Sequence, residues 1–350
     1  MATEAVSEHR LVVDLAATSK NWALTPEGER RLIEESPPGW QVHVVQSPTS
    51  SDGDGPPRPS DEVVAAIRDA EAYFGFGIPR VLFLEARRLR WVHSAAAGVG
   101  SALYPEMAQS EVLFTNSAGV HAIPIAEYVV GGILHLLRGF DFSIDQQRRE
   151  EWNKAPFVRL DSVVREMDSV RALIVGAGGI GTAVAERLAA LGARCTGVRR
   201  RVSLGAPPGF ERVIGLNRID DELPSHDVVV LAAPLTGETA GLLTAERLDL
   251  LPQTGIIVNV ARGALLDEEA LVVRLRDGRL RGAVLDVFRE EPLAETSALW
   301  KLPQVLLTPH VSPVSPGRFW PRQLDLFLDN WRRYTTGMPL RNLVDKQAGY

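Results

Sequence analysis

The sequence is poorest in cysteine. It has one, Cys195, among 350 residues, so no internal disulfide can form. The thiol's place in an apolar run reads as buried and inert, which suits a reducing cytosol. An excess of positive charge is also missing: 38 Lys and Arg stand against 44 Asp and Glu, a net charge of -6. Without bulk attraction to polyanions, neither nucleic acid nor an anionic membrane is an expected partner. Nor is there a long hydrophobic run. The most apolar stretch, Ile123 to Leu137, is interrupted by Glu127 and His135 and falls short of the ~20 residues a membrane span needs. It reads as a packed helix, with Glu127 a buried acid pairing a neighbour and given no catalytic role. Met1 to Arg10 carry charges without an apolar h-region, so no secretory signal is expected and the cytoplasm is the expected location.

What remains is an ordinary globular composition, 45% hydrophobic and 23% charged, in a chain long enough to favour two domains. Short β-like runs at Leu11–Leu15, Val42–Val45 and Trp91–His93 alternate with helical or loop material and suggest a small α/β domain. Ser47 to Ser60, rich in Ser, Gly, Asp and Pro, reads as an exposed loop. Val112–Thr115 is strand-like, and from Ala122 to Phe140 apolar residues recur at helical spacing.

Further on, Ala172–Val175 meets the turn Gly176-Ala177-Gly178-Gly179-Ile180-Gly181, and Thr182 to Leu191 follows as good helix-forming sequence. Near-continuous apolar runs at Val228–Leu231, Ile256–Val260, Ala283–Asp286 and Val305–Leu307 suit a parallel sheet buried on both faces. Helical segments at Ala245–Leu251 and Glu268–Asp277 separate several of them. The pattern is α/β, a Rossmann-type doubly wound parallel sheet. A last helix is expected over Arg318–Tyr334, packing back on the first domain.

A glycine triplet alone is a weak signal, and its setting between strand and helix is what raises it. Gly176 allows the sharp turn, Gly178 lets backbone approach phosphates, and Gly181 lets helix and strand pack closely. Gly179 and Ile180 open the helix, whose free N–H groups suit a pyrophosphate. The next strand of such a unit, if it serves NAD, should end in an acid for the ribose. Here it reads Thr196-Gly197-Val198-Arg199-Arg200-Arg201. Guanidinium groups pair with a 2′-phosphate that a carboxylate would repel, so NADP(H) is expected over NAD(H).

Three more segments put polar residues just after apolar strands, where open α/β sheets gather ligands: Asn259-Val260-Ala261-Arg262-Gly263, Leu285-Asp286-Val287-Phe288 leading to Glu291-Pro292-Leu293, and Thr308-Pro309-His310. With Ala233-Pro234-Leu235-Thr236, Ala97-Gly98-Val99, Thr115-Asn116, Ala126-Glu127 and Pro339-Leu340-Arg341-Asn342, this ordered set resembles the D-isomer-specific 2-hydroxyacid dehydrogenase family. The resemblance extends from roughly Trp91 to Leu343.

The resemblance implies a smaller flavodoxin-like α/β substrate domain, discontinuous over 1–118 and 315–350, beside a dinucleotide domain over 119–314. It implies Arg262, Glu291 and His310 as the catalytic unit. Arg262 would offer a planar cation to a carboxylate, and His310 a proton to the carbonyl oxygen of a small 2-oxo acid such as glyoxylate or hydroxypyruvate, giving the D-2-hydroxy acid. Glu291 would favour the imidazolium and hold the ring. Asp286 would face the nicotinamide amide, with Pro234 and Ala261 lining the cofactor, and backbone donors of Ala97, Gly98 and Val99 would hold the substrate carboxylate. No metal is implied. A homodimer through the dinucleotide domains is, with the helix around Ala126 to Leu137 as one contributor.

The competing expectation from the same resemblance is a dinucleotide-sensing, corepressor-like binding protein with little turnover. The family also resembles phosphite and formate dehydrogenases in fold, but formate enzymes place Gln where Glu291 stands, which weakens the formate reading. Two departures fall near the expected substrate mouth: Gly100 where an Asp is usual, and Val311-Ser312-Pro313-Val314-Ser315-Pro316 where a Gly-rich stretch is usual. Trp320 reads either as reaching that mouth or as core packing.

Overall fold

Every run read above as a strand becomes a parallel strand. The computed structural model describes residues 9–15, 23–47, 49, 58–159, 162–347 and 349, and most of the loop expected over Ser47–Ser60 lies outside them. The chain divides into two compact units, Met1–Val120 with Ser315–Tyr350, and His121–Val314.

In the first unit the chain runs β1 (His9–Asp14), α1 (Pro26–Glu34), β2 (Trp40–Val44), α2 (Asp61–Ile67), β3 (Ala72–Gly75), α3 (Arg80–Glu85), β4 (Trp91–Ser94), α4 (Pro105–Gln109) and β5 (Leu113–Asn116). The strands pair in parallel in the flavodoxin-like order β2-β1-β3-β4-β5. The hydroxyls of Thr25 and Ser60 accept the Gly28 and Val63 N–H groups and so start α1 and α2. β3 escapes the apolar-run reading because it is short and bounded by Glu71 and Gly75. Yet it is wholly buried and pairs with β1 and β4.

The second unit runs α5 (Ala122–Leu137), α6 (Phe140–Arg149), α7 (Ala155–Val158), β6 (Arg171–Val175), α8 (Gly179–Ala190), β7 (Arg194–Val198), β8 (Arg212–Ile214), α9 (Ile219–Glu222), β9 (Val228–Leu231), α10 (Ala245–Asp249), β10 (Ile256–Asn259), α11 (Glu268–Arg276), β11 (Gly282–Leu285) and β12 (Val305–Leu307). The seven-stranded order β12-β11-β10-β9-β6-β7-β8 reverses direction at β6, the topology of a doubly wound dinucleotide fold. Cys195 on β7 is buried, and burial pushes its thiol up to about 12, so it is inert at neutral pH. The chain then returns to the first unit through α12 (Phe319–Thr336), where Phe327 stacks on Phe74 with ring centroids 4.1 Å apart.

Two expectations are corrected. The helical run predicted from Ala122 to Phe140 is two helices bent by 66°, because Gly139 takes a left-handed backbone at φ 67° and starts α6 afresh. Among the described residues no single helix is long and apolar enough to cross a membrane. Glu127 is exposed rather than buried: Ala126, Val129, Ile133 and Leu136 face the core, and Glu127 on the other face lies 3.8 Å from the exposed side of Arg187.

The bend is locked electrostatically. Arg281, at the start of β11, donates from Nη1 and Nη2 to both carboxylate oxygens of Asp141 at 2.9 and 2.8 Å, and from Nη2 to the Leu136 carbonyl at 2.6 Å. It also lies over the Phe142 ring. Both partners are buried, so removing one strands a desolvated charge. Asp141→Ala is expected to cost about 3–5 kcal/mol in chemical unfolding. A loss under about 1 kcal/mol would contradict the assignment.

Candidate active site

The glycine turn is built by close approach. Gly176 has φ 104°, and a Cβ there would sit 2.6 Å from the Ala232 carbonyl oxygen. A Cβ on Gly181 would sit 1.9 Å from the Gly176 oxygen, so only glycine lets α8 rise directly off β6. The Gly176 and Ala177 N–H groups donate to the Val198 carbonyl at 2.9 and 3.2 Å, tying the turn to the end of β7. Gly178, the N-cap of α8, is different: a Cβ there would meet nothing within 4 Å. The open space lies at a helix N-terminus, where the first-turn N–H groups of Gly179, Ile180 and Gly181 have no partner within the helix. A space of that kind, backed by those donors, fits a dinucleotide pyrophosphate.

Arg199, Arg200 and Arg201 follow β7 directly. The Arg199 N–H donates to the Ile214 carbonyl, and its guanidinium spends one donor, Nη1, on the Gly205 carbonyl at 2.9 Å. Arg200 and Arg201 are exposed. After β9, Pro234 is exposed and its carbonyl accepts the Thr239 hydroxyl at 2.7 Å.

The polar loops after β10, β11 and β12 hold one another. Asn259, fully buried at the end of β10, donates from Nδ2 to the Arg262 carbonyl at 3.0 Å and accepts the Ala261 N–H at 3.1 Å. These bonds fix the turn that carries the exposed Arg262 side chain. A Cβ on Gly263 would fall 1.9 Å from the Phe288 carbonyl carbon, so glycine alone lets this turn meet the loop after β11. Asn259 and Gly263 were legible as part of the motif, but not in these supporting roles.

Asp286 is completely buried. Its Oδ1 accepts the Thr308 hydroxyl at 2.6 Å and the Val311 N–H at 2.8 Å, and its Oδ2 accepts the Ser312 N–H at 2.9 Å. Tyr128, on α5, reaches the Thr308 hydroxyl at 2.7 Å. Since Thr308 gives its proton to the carboxylate, Tyr128 is the donor of that pair. Asp286 therefore anchors the loop that carries His310. Tyr128 and Thr308 add to this anchor, and their sequence separation hid it.

His310 has a left-handed backbone, φ 52°, uncommon for a side-chain-bearing residue and held by its N–H to the Asp286 carbonyl at 2.9 Å. Its Nδ1 lies 2.9 Å from Glu291 Oε2, while Glu291 Oε1 accepts the Phe288 N–H at 2.9 Å. Burial pushes the Glu291 carboxyl up, but the Phe288 N–H, the bond to His310 and the charges of His310 and Arg262 together hold it below the usual carboxylate range. An ionised carboxylate only accepts, so Nδ1 of His310 carries a proton and Nε2 is left to exchange one. The structure thus brings Glu291 and His310 into contact, with Arg262 near enough for its charge to act on Glu291.

In the first unit, Ala97 and Gly98 are exposed and Val99 is buried in the loop after β4. Gly100 opens a 3-10 turn, and a Cβ on it would meet nothing within 4 Å. Trp320 is 6% exposed and packs with Phe319 and Leu324, so core packing is its role.

A seven-stranded Rossmann sheet with this turn defines a dinucleotide-binding protein. The profile of the D-isomer specific 2-hydroxyacid dehydrogenase NAD binding domain matches residues 130–312. Glyoxylate/hydroxypyruvate reductase A of Salmonella newport is 34% identical over 280 residues, 78% of this chain and 85% of that protein. The chain belongs to the D-isomer specific 2-hydroxyacid dehydrogenase family. A family structure from Xanthobacter autotrophicus, in complex with NADPH and MES, has a TM-score of 0.76 and 28% identity, covering 98% of this chain and 100% of its own. An NADPH-dependent glyoxylate/hydroxypyruvate reductase from Sinorhizobium meliloti, in complex with NADP and sulfate, has a TM-score of 0.74 and 26% identity, covering 98% and 100%.

Proposed function

We propose that this protein is an NADPH-preferring reductase of small 2-oxo acids, glyoxylate and hydroxypyruvate among them, that forms the D-2-hydroxy acid where a stereocentre arises. The observation that carries the reading is the 2.9 Å contact of His310 Nδ1 with Glu291, which leaves Nε2 as the proton-exchanging atom. The names of the Salmonella and Sinorhizobium relatives support the substrate class.

A bound NADPH supplies the hydride. The residues supply the rest. The unit His121–Val314 would hold the cofactor: Gly176, Gly178, Gly179, Ile180 and Gly181 would hold the pyrophosphate and Pro234 and Ala261 would line its path, while Asp286, expected to face the nicotinamide amide, is fully buried and acts instead by anchoring the loop that carries His310. Arg262 offers its cation to a carboxylate, and in the other unit, taken by itself, the backbone N–H groups of Ala97, Gly98 and Val99 offer donors of the kind a carboxylate takes. Protonated His310 gives its Nε2 proton to the carbonyl oxygen as negative charge gathers there, and neutral His310 takes it back in the oxidation direction. Glu291, ionised across neutral pH, keeps the ring oriented and stabilises its cationic form.

The cofactor preference rests on Arg199, Arg200 and Arg201 standing where NAD-specific folds place an acid. Replacing Arg199 and Arg200 by Ser is expected to raise the NADPH Kd by about 10- to 100-fold, the equivalent of one or two charge-assisted hydrogen bonds, and to leave NADH nearly unaffected. Fluorescence titration with both cofactors checks this, and equal loss for both would remove the arginines from 2′-phosphate recognition. We place the protein in the cytoplasm as a homodimer through its dinucleotide units, a contact that would cover the exposed Phe140, Trp152 and Val158. Light scattering of the purified chain tests the dimer.

A further inference from the structure

Three successive peptide carbonyls in the first unit are occupied. Gln323 Nε2, on α12, donates to the Ala95 carbonyl, the Ser117 N–H to that of Ala96 at 3.2 Å, and Asn116 Nδ2 to that of Ala97 at 2.8 Å. Neither amide side chain is free to flip. Asn116 Oδ1 accepts the Ala118 N–H at 3.1 Å, and Gln323 Oε1 accepts the Ser117 hydroxyl at 2.6 Å, which fixes the nitrogen of each toward its carbonyl. Gln323 and Ser117 are fully buried, so the clamp is a built part of the core and not a solvated contact.

A trans peptide points its N–H opposite to the preceding C=O, and the peptide bonds of this loop are trans. Holding the Ala96 and Ala97 carbonyls therefore turns the Ala97 and Gly98 N–H groups away from the clamp. Both residues are exposed, and among the described residues neither N–H has an acceptor in the protein. Two adjacent amide donors facing outward from a rigid base form an anion-binding concavity.

We propose that Asn116 is a positioning residue that, with the Ser117 N–H beside it, aims the Gly98 and Ala97 N–H groups at the carboxylate of the 2-oxo acid, an inference that rests on the function proposed above. Asn116 touches no substrate and acts through the loop. Loss of its bond leaves the Ala97 carbonyl unheld and lets that peptide plane rotate, so the effect falls on carboxylate affinity and not on proton transfer.

The informative variant is Asn116→Asp, which keeps the size and the bond from Ala118 but turns an acceptor toward the Ala97 carbonyl. The expected result is a KM for glyoxylate raised by about 10- to 100-fold, kcat within about threefold, and NADPH affinity unchanged. The Kd for oxamate, an unreactive carboxylate, on the NADPH-loaded protein should rise by the same factor. Asn116→Ala, which removes the bond without placing a charge, should show the same split. Thermal unfolding and NADPH binding of both variants guard against a folding defect, which would lower kcat, cofactor affinity and stability together.

An oxamate Kd unchanged in both variants, or losses shared equally by kcat and NADPH affinity, would overturn the clamp. A wild type that turns over no 2-oxo acid would overturn the proposed function instead, and the oxamate titration would still decide the clamp.

Discussion

His310→Asn should lower kcat for 2-oxo acid reduction by about 10²- to 10⁴-fold while leaving NADPH affinity within about twofold. Asparagine is the informative replacement because His310 sits at φ 52°, and Asn tolerates the left-handed region better than other non-glycine residues. The backbone bond to the Asp286 carbonyl can then persist, and the loss reports chemistry rather than a displaced loop. Glu291→Gln is a milder probe of the same pair. It removes the charge that stabilises the imidazolium, so the fall of reduction rate toward high pH should begin at lower pH than in the wild type. Rapid-quench single turnovers separate the chemical step from product release. A His310→Asn enzyme that retained more than a tenth of wild-type kcat in that assay would remove His310 as the proton donor.

The second large effect concerns stability and lies in the first unit. His93 is fully buried on β4, with Nδ1 2.8 Å from the Thr115 hydroxyl and Phe74 and Phe327 around it. Burial pulls its pKa down to about 3, so the folded chain keeps it neutral while the unfolded chain binds a proton near pH 6.5. For a histidine depressed in this way the unfolded state holds more protons at every pH from 3 to 6.5. Its contribution is fully present above pH 6.5 and is lost as pH falls toward 3. Between the neutral plateau and pH 4.5 the loss comes to about 3 kcal/mol, with a slope that approaches about 1.4 kcal/mol per unit below pH 6.5.

Other groups are separable by window or by location. Glu222, Asp227 and Glu291, all held below their usual range, lose their contribution only as pH falls below about 4.5. His226, depressed by burial, acts in the same window as His93 but in the second unit. Asp14, pushed up by burial despite its bonds to Thr49 and Tyr73, works in the opposite direction within the first unit. The difference between wild type and His93→Gln isolates the histidine. Urea unfolding followed by tryptophan fluorescence, with Trp91 6.1 Å from the His93 ring, should show a steep acid dependence in the wild type and a flattened one in the variant. An equal slope in both would contradict the account.

How far the sequence could be read is clearest at the glycine turn and least clear behind it. Gly176 and Gly181 are legible because close backbone approach admits no other residue, whereas Arg262, Glu291 and His310 stand in segments that follow apolar strands and are joined as a unit only through the family resemblance. β8 was missed because it has only Arg212, Val213 and Ile214 to show, too few to set a period. The break at Gly139 was missed because apolar residues continue on both sides of it. Glu127 was misplaced because a helix so rich in apolar residues hides which face is the core. The supporting residues were beyond local pattern altogether. Tyr128 meets Thr308 across 180 positions, and Ser117 meets Gln323 across 206, contacts that only the folded sheets create.

The most direct test of the central claim is steady-state cofactor oxidation by the wild-type chain over a panel of small 2-oxo acids, run with NADPH and with NADH. The account predicts turnover of glyoxylate and hydroxypyruvate, with kcat/KM at least about tenfold higher for NADPH, the equivalent of one retained charge-assisted bond. Tight NADPH binding without turnover of any member of the panel would contradict it and make the protein a dinucleotide sensor.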